Sequence, residues 1–505
     1  MENKFIKGLK EETNETLTEN GAVAYRTTNS DLLDMFAVIG ALRTRPSNEI
    51  IAKFTKAFAE DNLLAMKMLF YARNIRGGLG ERRTFRVLIK YMADFHTEIM
   101  RKNINLVPIF GRWDDLYEFV GTDLEDDMFE LVKEQLSSDI TNLQRGKQIS
   151  LLAKWLKSTS GVSVESAKLG KLTAKKLNLS YKEYRKVLSA LRKQLNIVER
   201  NMSAQEWNKI VYNEVPSYAM KKYRNVFKEH DLIQFKEYIE KVKKGEEKIN
   251  AKTLYPYDIL ESAGLRESWR NENLYLDSYD QVLEEQWKAL PNYVEGENNI
   301  LVMADTSGSM SGRPLATSVG LSIYFAERNK GAWKDKFLTF ASQPSLVELK
   351  GSNLSEKISC VRAIVDNTNI EAAFDLVLRT AINNHLSQED MPKAIIIISD
   401  MEFDEASENY GYYRGYNTSI DKQNKIMDQI AYKFQQNGYV IPKIIYWNVS
   451  GRHDTYHAVC ENKNVSMVSG QSVSAFRSVL TALDEDPYNT MLETLNDKMY
   501  DVVRV

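Results

Sequence analysis

The chain has 505 residues, 43% of them hydrophobic and 27% charged, with a net charge of −2. These values describe a globular protein with room for two or more cores. No apolar run reaches the roughly 18–20 residues of a membrane span. The N-terminus, MENKFIKGLKEETNETLTENG, lacks the apolar centre of a signal peptide, and two cysteines, Cys360 and Cys460, fit a reducing compartment. A cytoplasmic protein is expected.

Residues 1–30 are polar and read as a flexible or loosely docked arm. Residues 31–260 read as helical throughout. DLLDMFAVIGALR, NEIIAKFTKAFAED and NLLAMKMLFYARNIR repeat apolar residues at three- and four-residue spacing, separated by short polar breaks such as TRPSN and RGGLGE. TFRVLIKYMADF, DDLYEFVG, DMFELVKEQLSSDI and YKEYRKVLSALRKQLNIVER continue the pattern. Helices joined by short connections over this length suggest a solenoid rather than one bundle.

Residues 261–298 read as a connecting segment punctuated by Pro291. From residue 299 to 505 the period changes. ILVMAD, KFLTFAS, SLVELKG, KAIIIISD and PKIIYWNVS read as strands. RPLATSVGLSIYFAERN, NIEAAFDLVLRTAINNH, DKQNKIMDQIAYKFQQNG and SAFRSVLTALDED read as helices. Strands alternating with helices predict a mostly parallel, doubly wound sheet, so the whole is a multidomain α plus α/β protein.

Charge is unevenly placed. Leu151 to Lys252 holds 23 Lys and Arg against 11 Asp and Glu, an excess of 12 positive charges. Such a segment inside a slightly acidic chain fits a polyanion partner, and equally a set of solvated helix faces. Candidate phosphate contacts are Arg73 and Arg76 in RNIRGGLGERR, Lys154 and Lys157 around Trp155, then Lys168, Lys171, Lys175, Lys176, Arg185, Lys186, Arg192 and Lys193. Long cationic side chains bind backbone phosphates without reading sequence. The RNIRGGLGERR arginines, Arg82 and Arg83 included, would serve as well in ion pairs that hold a helix connection. Trp113, Asp114 and Asp115 in GRWDDL favour packing.

The second cluster begins at VMADTSGSMSG. Asp305 and Asp400 each end a continuous apolar strand, which in a parallel sheet places them on one edge. Asp305, Ser307 and Ser309 share the loop after the first strand, and Thr368 precedes another helix. Two carboxylates and three hydroxyls form an oxygen-only set that suits Mg²⁺ and not zinc. The same residues would also serve as a helix cap. No base and nucleophile pair accompanies them, and His453 and His457 lie on a distant loop. Glu402 and Asp404 stand beside the set, either tuning its charge or facing solvent. The Tyr/Gly-rich stretch GYYRGYNTS, Gly411 to Ser419, is a candidate interface loop.

DTSGSM with ISD at this distance resembles the signature of the von Willebrand factor A fold. The resemblance implies a metal-ion-dependent adhesion site built from Asp305, Ser307, Ser309, Thr368 and Asp400. It also implies an open metal position that an acidic group of a partner protein completes. The helical region followed by such a domain resembles the Ro autoantigen family, in which a ring of HEAT-like repeats, the TROVE module, is closed by the A domain. RNIRGGLGERRTF, NLVPIFGRWDDLYEF and LLAKWLKSTS look closer still to a related group with the same two-part layout. In LLAKWLKSTS, Trp155 and a serine replace the histidine and proline of the Ro pattern.

The expectation is therefore a non-enzymatic, monomeric ribonucleoprotein component that binds small noncoding or single-stranded RNA. A protein-interaction scaffold is the alternative. A metal-dependent nuclease would call for more carboxylates than this cluster holds.

Overall fold

The three most apolar strand runs of the sequence sit side by side at the centre of one sheet. They do so in a computed structural model that describes residues 13–161, 163–268, 272–294, 299–340, 343–363, 368–404, 426–475 and 485–505. In chain order the strands are β1 (Glu15–Leu17), β2 (Val23–Tyr25), β3 (Leu265–Glu267), β4 (Leu274–Leu276), β5 (Ile300–Asp305), β6 (Lys336–Phe340), β7 (Ser345–Glu348), β8 (Ala394–Ser399), β9 (Lys443–Asn448) and β10 (Val465–Ser469).

The main sheet runs β10-β9-β8-β5-β6-β7. All pairs are parallel except β6 with β7. Every residue of β5, β8 and β9 is buried, as expected of parallel strands covered on both faces. β7, the antiparallel edge, buries only Val347. Helix Arg313–Arg328 starts with a proline in its first turn and buries Val319, Leu321, Ile323, Tyr324 and Phe325. It passes close to helix Pro256–Ser262: a Cβ at Gly320 would stand 3.0 Å from the Pro256 Cβ. Connections leave β5 toward β6 and leave β8 toward β9. The carboxyl ends of β5 and β8 therefore flank the point where the winding reverses, the usual ligand crevice of an open α/β sheet.

The chain divides into two compact units, Met1–Asp61 with Leu254–Asp497, and Asn62–Thr253 with Lys498–Val505. These limits differ from those expected. The described part of the 1–30 arm is built into the sheet-containing unit: β1 and β2 pair, Tyr25 bridges Tyr456, and Gly21 bridges Asp404. Ala22 and Ala24 are buried there, and their small side chains allow the close approach. Residues 31–61, read as the start of the helical domain, belong to the same unit. There DLLDMFAVIGALR forms only the helix Asp31–Phe36 and a short 3-10 turn. The 261–298 segment is no loose connection either. β3 and β4 form a hairpin, and helix Gln281–Lys288 buries Trp287. The last eight residues, expected with the sheet, join the helical unit. GYYRGYNTS lies outside the described residues, as does most of the helix expected over SAFRSVLTALDED.

In the helical unit the principal helices are Asn62–Arg73, Arg83–Phe95, Glu125–Gln144, Val164–Lys176, Tyr181–Gln194, Ser217–His230 and Leu232–Lys243. Tyr181–Gln194 shows how the pattern works. The Ser180 hydroxyl accepts from Glu183 N at 3.2 Å, and the Glu183 carboxylate accepts from Ser180 N at 2.9 Å. Tyr184, Leu188 and Leu191 then face inward. Val164–Lys176 approaches residues 157–158 so closely that a Cβ at Gly170 would lie 2.4 Å from the Ser158 carbonyl oxygen. Only glycine permits that seat, which holds the lysine-bearing side of the helix outward.

Candidate functional site

At the carboxyl edge of the sheet the two aspartates are fully enclosed, Asp305 at 0% and Asp400 at 1% exposure. Asp305 Oδ1 accepts from Ser307 N at 2.9 Å, and Oδ2 accepts from the Ser399 hydroxyl at 2.6 Å. The Ser307 and Ser309 hydroxyl oxygens are 3.0 Å apart. Thr368 is buried, and its carbonyl accepts from Asp404 N at 3.1 Å, which ties the second loop to the third. Asp400 Oδ1 accepts from Glu402 N at 3.3 Å, and Oδ2 accepts from Arg452 at 2.5 Å. Met401, directly after Asp400, holds a left-handed backbone with φ 68°, a strained turn of the kind that collects at functional sites.

Burial first, and the Asp400 charge second, push the Asp305 carboxyl up to about 6, against the hydrogen bonds from Ser399 and Ser307. Two enclosed carboxylates with one guanidinium, that of Arg452 on Asp400, are short of positive charge. The donors are all hard oxygens, so the residues fit a small hard cation. Among the described residues no group of three or more His, Cys, Asp or Glu side chains is poised to hold a metal, so a bound ion would rely on hydroxyls and water. Asp305, Ser307, Ser309, Thr368 and Asp400 would hold it, and it would supply a positive centre for an anionic ligand.

Three neighbours escaped the sequence reading. Ser399 belongs to the strand run and reads as core. Arg452 follows β9, whose end lies beside that of β8 in the parallel sheet, so strand order was the available signal. The third is Glu19, on the arm. Its backbone N–H donates to Glu402 Oε2 at 2.6 Å, and its carboxylate lies 3.5 Å from Arg452. Thr18 donates to the Phe403 carbonyl at 2.6 Å and Asn20 to the Glu402 carbonyl at 2.7 Å. Glu402 is therefore buried rather than solvent-facing, with Thr455 and His453 on its other oxygen. His457 is a core histidine. Its Nε2 lies 2.9 Å from the Met401 carbonyl, and burial pushes it down to about 4.

The basic candidates separate into two groups. Arg73 is 3% exposed and donates from Nε to Asp115 at 2.8 Å, so it is closed to any phosphate. Arg192 donates to the carbonyls of Ala153 and Leu156 and to Ser158, and serves as a clamp on that loop. Lys176 pairs with Glu125 and Asp126, each at 2.7 Å. Lys154 and Lys157 are half-buried, with Lys157 3.9 Å from Asp114. Arg73, Arg192 and Lys176 are corrections to a purely phosphate-facing reading: long cations near carboxylates or orphan carbonyls turn inward to satisfy them.

The remainder are exposed: Arg76, Lys168, Lys171, Lys175, Arg185, Lys186 and Lys193. Lys168, Lys171 and Lys175 follow three- and four-residue spacing along one face of Val164–Lys176. They form no ion pair among the described residues. GRWDDL proves to be a packing hub. It forms a 3-10 helix, Trp113–Phe119, whose Asp114 and Asp115 gather Arg73, Arg82, Arg86 and Arg112.

Among known proteins, the "Uncharacterized protein L728" of Acanthamoeba polyphaga mimivirus is 28% identical over 526 aligned positions, covering 95% of this chain and 87% of that protein. Residues 299–501, from the start of β5 onward, match the family described as "Domain of unknown function (DUF7788)". Residues 18–135 and 156–299, more than half of the sequence, match a second model, and the chain belongs to that family, described as "Domain of unknown function (DUF2828)".

Proposed function

We propose that the protein is a non-enzymatic, Ro-like RNA-binding component of a ribonucleoprotein. In this reading the helical unit is a HEAT-like repeat module that takes small noncoding or single-stranded RNA. The sheet is a von Willebrand A domain with a Mg²⁺-dependent adhesion site. The observation that carries the RNA reading is the uncompensated basic surface of two successive helices. Lys168, Lys171 and Lys175 on one, with Arg185, Lys186 and Lys193 on the next, are exposed, and only Glu165 and Glu183 oppose them on those helices. Such a surface meets phosphates at many points, and its binding falls with salt.

The test is filter binding of a single-stranded RNA at several salt concentrations, with wild type and a K168E/K171E/K175E variant. The expected result is a loss of about tenfold or more in the variant with a shallower salt slope. Equal affinity and equal slope would remove the RNA reading.

A protein-interaction scaffold is the second reading, favoured by the enclosed carboxylate pair at the sheet edge, which leaves a cation to attract an acidic partner group. Charge reversal of the lysines would leave that activity intact. Among the described residues no helix is long and apolar enough to cross a membrane.

A further inference from the structure

The GRWDDL hub holds more positive charge than its carboxylates can use. The ion pairs described there join five cations, Arg73, Arg82, Arg86, Arg112 and Lys157, to three carboxylates, Asp114, Asp115 and Glu118, an excess of two within that set. Asp115 is fully engaged. Its Oδ2 accepts from Arg73 Nε at 2.8 Å and from Arg112 N at 3.0 Å, and its Oδ1 accepts from Arg86 Nε at 2.7 Å.

Asp114 is oversubscribed. Around its Oδ2 stand Arg82 at 2.9 Å, Arg86 at 3.1 Å, Arg112 at 3.4 Å and Lys157 at 3.9 Å. Arg112 Nε lies 3.0 Å from the other oxygen, Oδ1, so four cations share this one carboxylate. That ion pair is not aligned as a hydrogen bond, so Arg112 Nε and Asp114 Oδ1 are both buried without one.

The surplus lies on the outer side. Arg73 and Asp115 are enclosed, whereas the Arg82 side chain is 47% exposed, Lys157 30% and Arg112 24%. Arg112 lies over the Trp155 ring, its Cζ 4.1 Å from the centroid, which fixes the plane of the guanidinium. Burial, with Arg82 and Arg73 nearby, holds the Arg112 guanidinium below its usual value despite the pull of Asp114. An anion that joined the three outer cations would relieve that repulsion.

We propose that Arg82, Arg112 and Lys157 form a binding site for a phosphate monoester, the terminal phosphate of an RNA strand. The strand assignment rests on the RNA reading; the oxyanion site rests on the hub alone. A monoester carries close to two negative charges at neutral pH and matches the excess, whereas a phosphodiester carries one. Its oxygens accept several hydrogen bonds at once, and planar guanidinium groups suit that geometry.

The experiment compares the full-length wild type with R82Q/K157Q, one exposed and one half-buried position, and with K168E/K171E/K175E. Fluorescence anisotropy would follow decamer RNAs carrying a phosphate at the 5′ end, at the 3′ end, or at neither. Melting with inorganic phosphate against chloride at constant ionic strength would report the site without RNA, and melting without phosphate would check that the variants fold.

The expected result is that one phosphorylated RNA binds about tenfold tighter than the unphosphorylated one. R82Q/K157Q loses that preference, while the lysine variant weakens all three RNAs alike. Equal binding of all three by the wild type, or a preference that survives R82Q/K157Q, would overturn the site and leave the RNA reading standing. No RNA binding, with a phosphate-dependent melting shift absent from R82Q/K157Q, would uphold the oxyanion site and end the RNA reading. Neither binding nor shift would overturn both.

Discussion

Arg452 donates to Asp400 Oδ2 at 2.5 Å, so the carboxylate offered to a metal at the sheet edge already carries a guanidinium. The same arginine lies 3.5 Å from Glu19 of the arm, which gives it a second acidic neighbour. A cation entering between Asp305 and Asp400 competes with Arg452 for charge. Arg452→Gln is expected to bind Mg²⁺ about tenfold more tightly than wild type. Asp305→Ala is expected to lose the binding. Titration calorimetry with MgCl₂ on the three proteins reads this directly, and indistinguishable heats would rule out a cation site.

His457 makes the fold sensitive to acid. Burial disfavours the imidazolium and pushes its pKa down to about 4, from an ordinary 6.5. Between these values the unfolded chain binds the extra proton. The His457 contribution to stability is therefore intact above pH 6.5 and falls by about 3 kcal/mol as pH drops toward 4, while Asp305, pushed up to about 6, contributes in the opposite sense. Denaturant melts from pH 7 to 4 on wild type and His457→Gln should show this slope only in the wild type. A shared slope would assign the acid sensitivity to other groups.

Arg73 and Asp115 are 3% and 0% exposed and directly paired, so removing either strands the other. Arg73→Ala is expected to cost about 3–5 kcal/mol of helical-unit stability. Arg76→Ala, at an exposed position, should leave stability within about 0.5 kcal/mol. Urea unfolding followed by circular dichroism at 222 nm makes the comparison, and comparable losses for both would undo the division between buried and exposed arginines.

The C-terminal eight residues should act as a clasp on the helical unit. Tyr500 is 1% exposed, stacks on Phe110 with centroids 5.5 Å apart, and meets Tyr71 edge-on at 6.2 Å. Asn74 donates to its hydroxyl at 3.1 Å, and Asn103 exchanges hydrogen bonds with Arg504. Tyr500→Ala should cost about 3–5 kcal/mol, as other large aromatic truncations do. An unchanged urea midpoint in that variant would show the tail to be dispensable.

Much of the architecture was legible because it rests on local periodicity. ILVMAD, KAIIIISD and PKIIYWNVS are apolar on both faces, and only a covered parallel strand hides such runs. Tyr184, Leu188 and Leu191 recur at helical spacing within YKEYRKVLSALRKQLNIVER. Asp305 and Asp400 were identifiable as neighbours because each ends such a strand. β10, by contrast, is a short run, VSMVS, that reads as loop until Ile444 and its neighbours supply a parallel partner.

The pairing of charges belonged to tertiary structure alone. Nothing within a few residues of Arg73 tells that Asp115 will enclose it, nor does anything near Arg452 point to Asp400 and Glu19. Periodicity marks which side of an element faces the core, because burial of apolar area acts on each element separately. A cation's partner is set by which distant backbone loops meet. That is why Arg73 and Arg192 turn inward while Lys168, Lys171 and Lys175, with no carboxylate paired to them among the described residues, remain exposed.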